Sequence, residues 1–388
     1  MNPLRFVVLL GVVSLFADMT YEGARSITGP YLAVLGASAT TVGVVAGFGE
    51  LIGYVLRLAS GYWADRTQRY WTITIFGYAV NLLAVPLLAL AGHWSLAAVL
   101  IILERTGKAI RTPARDAMLS HATQQMGRGW GFGLHEALDQ AGATLGPLVV
   151  AGVLYLQEGY RPAFAFLAVP ALLSIGTLLF ARRLYPRPQS LERLTPALQA
   201  RGFAGGYWLY LAAASCIAMG YADYPLMAYH FEKAGIVPKE WIAVFYAIAM
   251  AVDGLAALAF GHWYDRRGMA VLVTASVVSA LFAPLAFLGG FGAALAGAVL
   301  WGIGMGAQES VMRAAVAAMS PRDRRGTAYG LFNMGFGVFW FIGSAVMGLL
   351  YDLSLPALVV FSVAAQLAAI PLLIASQRAA AVALANAS

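Results

Sequence analysis

Long runs of apolar residues recur along the whole 388-residue chain, and they constrain its fold more than any other feature. A membrane-spanning helix needs about 20 consecutive, mainly apolar residues. Such runs lie at 5–33, 40–62, 70–91, 94–119, 129–155, 161–181, 206–230, 240–262, 269–290, 292–318, 326–350 and 355–376. Because backbone in lipid must satisfy its own hydrogen bonds, the sequence predicts an all-α integral membrane protein with twelve transmembrane helices.

The composition excludes a soluble protein. Charged residues make up 11% of the chain, against about 25% in soluble domains, and 61% of the residues are hydrophobic. The net charge of +7 does not indicate a nucleic-acid partner, because the arginines form no basic tail or stripe. Cys216 is the only cysteine, so no intrachain disulfide is expected.

The connections between the runs alternate in charge. One set is rich in arginine, while the opposite set holds little beyond Arg161, Lys233 and Lys239. By the positive-inside rule, the arginine-rich side is cytoplasmic. We therefore expect an inner-membrane protein with both termini in the cytoplasm. The arginines of this side include Arg66, Arg69, Arg128, Arg182, Arg183, Arg187, Arg193, Arg201, Arg266, Arg267, Arg322, Arg324 and Arg325.

The two halves of the chain repeat each other. Gly61-Tyr-Trp-Ala-Asp-Arg66 has Gly261-His-Trp-Tyr-Asp-Arg266 as its counterpart, and RGWGFGL at 128–134 matches RGTAYGL at 325–331. Internal repeats of this kind are typical of transporters. The polar, Arg- and Pro-containing stretch 183–205 separates the repeats, which predicts a cytoplasmic linker between a bundle at 1–182 and a bundle at 206–388.

The motif after the second run resembles the loop signature of the major facilitator superfamily, G-x-x-x-D-R-x-x-R. Gly61, Asp65, Arg66 and Arg69 carry it, with a weaker echo at Gly261, Asp265, Arg266, Arg267 and Gly268. The sequence departs from the family at Gln68, where Gly is common, and at Met269, where the last basic residue is missing. The resemblance implies two pseudo-symmetric six-helix bundles that work by rocking alternating access.

A second stretch, Gly142-Ala-Thr-Leu-Gly146-Pro147, resembles the antiporter motif of the proton-coupled exporters in that family. The glycine pair that follows in the family is Val150 and Ala151 here, so the match is partial. Glycine lets helix backbones pack closely, which is also common in ordinary bundles. The match favours export over import.

These motifs predict a conformational gate. An acid at a helix end can bind the free N–H groups that begin a neighbouring helix, and arginines there can pair with acids or lipid phosphates. Such contacts hold one side closed and break when it opens. The predicted gate residues are Gly61, Asp65, Arg66, Arg69, Asp265, Arg266, Gly142, Gly146 and Pro147.

Ionisable residues at membrane depth are costly, and we treat them as functional candidates. A carboxyl group there either pairs with a base or carries a proton for part of the transport cycle. The candidates for proton coupling are Asp18, Glu22, Glu50, Glu136 and Asp139. Asp18 and Glu22 share a helix face, so mutual repulsion should raise the pKa of one of them, and we rank Asp18 first, followed by Glu22 and Glu50. The alternative interpretation, structural ion pairs that neutralise one another, stays open for each residue.

The bases of the fourth run form a stripe at helical spacing. Lys108 and Arg111 lie on it, with Arg105 beside it, so they are candidates for holding an anionic or zwitterionic substrate. The acids on neighbouring runs are numerous enough to pair with them instead. The full set of candidate substrate-binding residues is Arg25, Arg105, Lys108, Arg111, Tyr224, Gln308, Glu309 and Trp340.

No enzyme motif competes with transport. The sequence contains no phosphate-binding loop of the G-x-x-x-x-G-K-[ST] type, no HExxH and no G-x-S-x-G. We therefore expect no cofactor and no metal, and we expect a monomer whose partners are a small-molecule substrate, protons and the lipid bilayer. The leading hypothesis is proton-coupled export of amphiphilic compounds. The alternatives are import of a small anionic or zwitterionic metabolite, and a lipid flippase or a membrane enzyme acting on lipid head groups.

The topology makes a direct prediction. Reporter fusions after Gln189 and after Ser388 should both give a cytoplasmic signal, because the arginine-rich connections lie on one side. A periplasmic signal from either fusion would overturn the topology and the helix count.

Overall fold

The computed structural model describes residues 3–123, 128–157, 159–186, 205–312, 315–316, 319 and 325–385. Most of the predicted linker, residues 187–204, lies outside the described residues. The described residues are almost entirely helical, as the apolar runs predict.

Twelve helices follow one another along the described chain. Three of them are interrupted: α6 at Leu167, α7 at Tyr221–Asp223 and α9 at Leu281. In addition, the last residues of α3 form a 3₁₀ turn, and Gln308–Met312 of α10 form a π turn. The helices are α1 (Pro3–Val34), α2 (Ala39–Thr67), α3 (Tyr70–Leu90), α4 (Trp94–Thr123), α5 (Arg128–Leu156), α6 (Tyr160–Leu184), α7 (Gly205–Gly220 and Tyr224–Ala234), α8 (Lys239–Arg267), α9 (Ala270–Leu288), α10 (Phe291–Met312), α11 (Arg325–Leu353) and α12 (Leu355–Ala385).

Ten of these helices are long and apolar enough to cross a membrane by length and composition alone. The other two, α4 and α7, differ for physical reasons. Helix α4 carries six charged residues, so its apolar character is diluted. Helix α7 is divided into two short pieces, so neither piece has spanning length. The two pieces together cover the seventh predicted run, 206–230.

The contacts divide the chain into two compact units. The first contains Met1–Ala37, Phe48–Thr195 and Pro238–Ala247. The second contains Ser38–Gly47, Pro196–Val237 and Ile248–Ser388. The first turns of α2 thus belong to the second unit, and the first turns of α8 belong to the first.

In the first unit, α1 is the central helix, and it packs against α5 and α6. A Cβ atom on Gly146 would lie 2.8 Å from the Cα of Met19, and one on Gly142 would lie 3.0 Å from the Cβ of Asp18. The Ser174 hydroxyl of α6 donates to the carbonyl of Val13 at 2.8 Å. The G-x-x-x-G-P stretch therefore lets α5 approach the backbone of α1 beside its acidic residues.

The second unit repeats this arrangement with α7 as the central helix, packed against α11 and α12. Ser362 and Ser376 of α12 donate to the carbonyls of Gly220 and Gly206, at 2.6 and 2.7 Å. The first helix of each unit thus packs on the fifth and sixth, which is the pseudo-symmetry that the sequence repeat predicts.

The repeated loop motif has the same backbone in both copies. Gln68 and Gly268 occupy matching positions and have φ angles of 54° and 59°. Each donates its N–H to the carbonyl four residues earlier, on Ala64 and Tyr264, at 2.8 Å. Glycine adopts positive φ without a steric penalty, whereas Gln68 adopts it at some cost. This explains why glycine is common in the family where Gln68 stands.

The approach of α5 to α1 gives a stability prediction. Gly146→Leu should destabilise the protein by roughly 1–3 kcal/mol or more, because the added side chain meets the α1 backbone. Gly152→Leu on the same helix is the matched control, since no atom lies within 4 Å of a Cβ there. Thermal unfolding in detergent measures both variants. Equal melting temperatures for the two would contradict the packing described.

Candidate functional site

A network of buried charges joins α1, α2 and α4 in the first unit. At one end, the Tyr246 hydroxyl of α8 donates to Glu22 Oε2 at 2.5 Å. The other oxygen of Glu22, Oε1, lies 3.7 Å from Lys108 Nζ. Lys108 also lies over the ring of Tyr21, 3.9 Å from its centroid. Glu22 is therefore held by a phenol and an ammonium group, and Lys108 is not an open anion site in this arrangement.

Glu50 occupies the middle of the network and is shared by two arginines. Its Oε1 atom lies 3.2 Å from Arg25 Nη2 and 3.4 Å from Arg105 Nη1. Three helices thus meet at one carboxylate. Because a buried charge without a partner is strongly unfavourable, the shared carboxylate stabilises both guanidinium groups at this depth.

Glu104 completes the network on α4. Arg105 Nε lies 3.3 Å from Glu104 Oε2, and the Asn81 amide of α3 donates to Glu104 Oε1 at 2.8 Å and to its backbone carbonyl at 3.0 Å. Sequence reasoning missed Asn81. An uncharged polar residue in the middle of an otherwise apolar run is the signal that could have identified it.

Two of the predicted candidates are buried without an ion pair. Among the described residues, Asp18 has no base within 4 Å and Arg111 has no acid within 4 Å, although they are 5% and 1% exposed. Asp18 Oδ1 and Arg111 Nε and Nη1 have no hydrogen-bond partner. Arg111 lies over the ring of Tyr78, 4.2 Å from its centroid. The positive charges of Lys108 and Arg111 act on Asp18 from a greater distance.

A second polar cluster surrounds Arg115. Its guanidinium donates to Asp116 Oδ1 at 2.9 Å and to the Ser14 hydroxyl at 3.1 Å, and it lies 3.9 Å from Asp139 Oδ2. His135 Nε2 lies 3.4 Å from Ser14 Oγ and 3.9 Å from Asp139 Oδ2. The structure thus brings Asp139 close to Arg115 of α4, whereas Glu136 is exposed and, among the described residues, joins neither cluster.

In the second unit, aromatic side chains surround the break in α7. Trp301 donates its indole N–H to the carbonyl of Ala222 at 2.8 Å, and the Tyr221 hydroxyl donates to the carbonyl of Trp301. Trp340 donates to Asp223 Oδ2 at 3.1 Å. Side chains that satisfy freed backbone groups allow a broken helix to persist in a membrane.

The remaining candidates of this unit lie near the same break. The Tyr224 ring packs edge-on against Trp301, with centroids 5.6 Å apart. Gln308 and Glu309 begin the π turn at the end of α10, and Gln308 Oε1 is buried without a hydrogen-bond partner. π turns inside α-helices occur frequently at functional sites. The polar chemistry of this unit is sparser than in the first, and aromatic surface replaces it.

The predicted gate residues make fewer polar contacts than the buried charged residues do in the part of the chain that the structure describes. Arg66 and Arg69 are exposed, and Arg66 Nη1 lies 3.4 Å from the Tyr62 hydroxyl. A Cβ on Gly61 would make an ordinary contact with Pro113, at 3.5 Å. Arg266 is also exposed. The side chains of Asp65 and Asp265 lie outside the described residues. Pro147 is buried within α5, one residue after Gly146.

An acid that caps a neighbouring helix does occur, at a position that the sequence did not indicate. Asp352, at the end of α11, accepts hydrogen bonds from the backbone N–H of Ala39 at 3.3 Å and of Thr40 at 2.9 Å. It also accepts one from the Thr40 hydroxyl at 2.6 Å. These groups begin α2, so Asp352 binds free N–H groups at the start of that helix, beside the helix's own N-cap Ser38, whose hydroxyl accepts from the N–H of Thr41 at 3.1 Å.

No group of three or more histidine, cysteine, aspartate or glutamate side chains in the described part of the chain could hold a metal ion. Within the described part of the first unit, the site instead consists of ion pairs together with Asp18 and Arg111, which are buried without an ion pair. Such an arrangement can move a proton or hold an anion.

The role of Glu50 can be tested through stability. Glu50→Gln should destabilise the protein by about 3–5 kcal/mol, because it removes the carboxylate that Arg25 and Arg105 share. Glu136→Gln removes the same charge from an exposed position and should change stability by no more than about 0.5 kcal/mol. Thermal unfolding of the two variants in one detergent makes the comparison. A Glu50→Gln variant as stable as the wild type would show that the pairs contribute little.

The chain is similar to known proteins over nearly its whole length. Residues 10–293 and 224–385 match the sequence profile of the Major Facilitator Superfamily. An uncharacterized protein of Mycobacterium tuberculosis is 43% identical over 378 residues, covering 96% of this chain and 92% of the relative. An uncharacterized MFS-type transporter of Methanocaldococcus jannaschii is 29% identical over 362 residues, covering 90% and 89%.

Solved structures show the same fold. The nucleoside transporter NupG has a TM-score of 0.72 at 15% identity and covers 98% of this chain and 99% of its own. A peptide transporter, POT, in complex with sulfate has a TM-score of 0.74 at 16% identity and covers 97% and 94%. The chain therefore belongs to the Major Facilitator Superfamily and is a multi-pass membrane transporter.

Proposed function

We propose that the protein is a proton-coupled secondary transporter that exports small amphiphilic compounds by alternating access. The observation that carries the proposal is the state of Asp18. Of the buried acids on α1 to α5 in the described chain, Glu22, Glu50, Glu104 and Asp139 lie within 4 Å of a base, and Asp18 does not. A buried carboxyl without an ion pair is stable mainly when it holds a proton.

Asp18 also lies where its charge can be coupled to helix movement. Its Cβ faces Gly142 of α5, and its helix neighbour Glu22 is tied to Lys108 of α4. Loss of the proton from Asp18 creates a carboxylate that the positive charges of Lys108 and Arg111 attract. Attraction toward those groups would rearrange the contacts of Glu22, and this links the proton to the packing of α1, α4 and α5.

The direction and the substrate class rest on two further features. The Gly142–Pro147 stretch resembles the exporter motif and makes the close approach that such a motif requires. In the second unit, the buried rings of Tyr221, Tyr224 and Trp301 pack together near the acid Asp223, so a substrate would reach this aromatic cluster in another conformation of the transport cycle. Apolar walls with a few polar groups suit amphiphilic compounds.

The other elements of the proposal follow from topology. We assign the protein to the inner membrane with both termini in the cytoplasm, as a monomer with bundles at 1–182 and 206–388 joined by 183–205. The motif at Gly61–Arg69 and its echo at Asp265 and Arg266 then lie on the cytoplasmic side and serve as the gate there. Asp352 and Thr40 make the corresponding contact at the opposite helix ends.

A second candidate, import of a small anionic or zwitterionic metabolite, is favoured by Arg111. Arg25, Arg105 and Lys108 are engaged by acids, so Arg111 is the one base of the predicted set with no acid within 4 Å among the described residues. A thermal-shift screen of the purified protein separates the two candidates. Amphiphilic dyes and antibiotics should raise the melting temperature if the first is correct, and organic anions should do so if the second is correct. In the second case, Arg111→Gln should remove the shift.

Proton coupling through Asp18 predicts a separation of two transport modes. In proteoliposomes, Asp18→Asn should reduce pH-driven transport of the strongest stabiliser in that screen to the rate of protein-free liposomes. Counterflow exchange of the same compound should persist, because it requires no net proton movement. Both rates are measured on the same preparation.

Counterflow is the internal control, since a misfolded variant would lose both activities. Asp18→Glu keeps an ionisable group at the position and should retain part of the pH-driven rate. Unchanged pH-driven transport in Asp18→Asn would exclude this carboxyl as the proton carrier. Glu22→Gln and Glu50→Gln would then be the next variants to measure.

A further inference from the structure

A cavity outside the charge network lies in the first unit, where α3 begins and α6 ends. It has a volume of about 570 Å³. The loop between α2 and α3 contributes Arg69, and the last turn of α6 contributes Arg182 and Arg183. None of these arginines has an acid within 4 Å in the described part of the chain. Two segments that are far apart in sequence thus bring three positive charges to one opening.

The wall of the cavity is firmly built. Trp71 lines it and donates its indole N–H to the carbonyl of Tyr185 at 2.9 Å. The ring of Phe6 packs against both Trp71 and Tyr185, with centroids 6.2 and 4.9 Å away. This packing fixes the end of α6 against the start of α3, so the backbone that carries Arg69, Arg182 and Arg183 is held in place.

The position of the cavity combines charged and apolar surface. Tyr70–Leu90 and Tyr160–Leu184 are both apolar spans, and the cavity lies at their ends, the depth of lipid head groups. Leu179 also lines it and is 42% exposed, one turn further into the span than the arginines. The arginine side chains therefore lie at the depth of a lipid phosphate, and the apolar surface at Leu179 lies at the depth of an acyl chain.

We propose that this cavity is a binding site for the head group of an anionic phospholipid. Arginine binds phosphate through paired N–H donors, and basic pockets between membrane helices are suited to acidic head groups. With the phosphate bound by Arg69, Arg182 and Arg183, one acyl chain runs along α6 past Leu179. The lipid would link the gate loop that contains Arg69 to the end of α6. The closed conformation of the gate would then depend on the lipid composition of the membrane.

The test compares lipids on the purified full-length protein in a neutral detergent. Phosphatidylglycerol should raise the melting temperature in a saturable way, while phosphatidylcholine and inorganic phosphate at equal concentration should not. The double variant Arg182→Gln/Arg183→Gln should bind phosphatidylglycerol about thirty-fold more weakly, because each arginine near an anionic lipid surface strengthens the attraction about five-fold. Native mass spectrometry of retained lipid gives a second, independent readout.

Matched variants separate the site from general charge. Arg267→Gln/Arg378→Gln removes the same net charge at exposed positions of the second unit and should keep the wild-type response. Arg182→Lys/Arg183→Lys should keep part of it. An Arg182→Gln/Arg183→Gln variant with wild-type affinity would overturn the proposal. Equal stabilisation by inorganic phosphate would assign the cavity to a soluble anion instead, and equal stabilisation by phosphatidylcholine would leave only apolar binding.

Discussion

The ionic pairing of α4 with its neighbours is the interaction on which the first unit depends. Charged side chains are expensive inside a membrane, and α4 carries six charged residues. The helix can be accommodated only where other helices supply counter-charges at the right depth. Glu50 does so for Arg105, Glu22 does so for Lys108, and Asn81 supports Glu104. The positions of α1, α2 and α3 around α4 follow from this requirement.

The two units share an arrangement of helices and differ in chemistry. Close contacts through glycine and small residues define both, at Gly146 against Met19 in one and at Gly220 against Ser362 in the other. The first unit fills its interior with ion pairs. The second uses aromatic rings and hydrogen bonds to backbone carbonyls at the break in α7. The same scaffold therefore carries ion pairs in one unit and aromatic packing in the other.

Sequence reasoning predicted the features that depend on residues close together in the chain, and it missed contacts between residues far apart in the chain. Hydropathy located the twelve helices, because the bilayer imposes one length on all of them. It did not find the break in α7, although Asp223 followed closely by Pro225 is a recognisable start for a new helix. The partners of the charges could not be read from the sequence. Tyr246 meets Glu22 across 224 positions, and Asp352 meets Thr40 across 312.

The π turn at Gln308–Met312 gives α10 a property that the other helices do not share within the described chain. A π turn contains one residue more than an α turn, so its conversion to α geometry turns the following residues by about 100° around the helix axis. Glu309 lies within this turn, so such a conversion would change its backbone hydrogen bonds, whereas the other end of the helix at Phe291 would stay in place. Ser310, which donates to the carbonyl of Gly306 at 2.6 Å, lies within the segment that would turn. Gln308–Met312 is therefore the segment of α10 in which a change of hydrogen-bond register would alter the direction of the side chains.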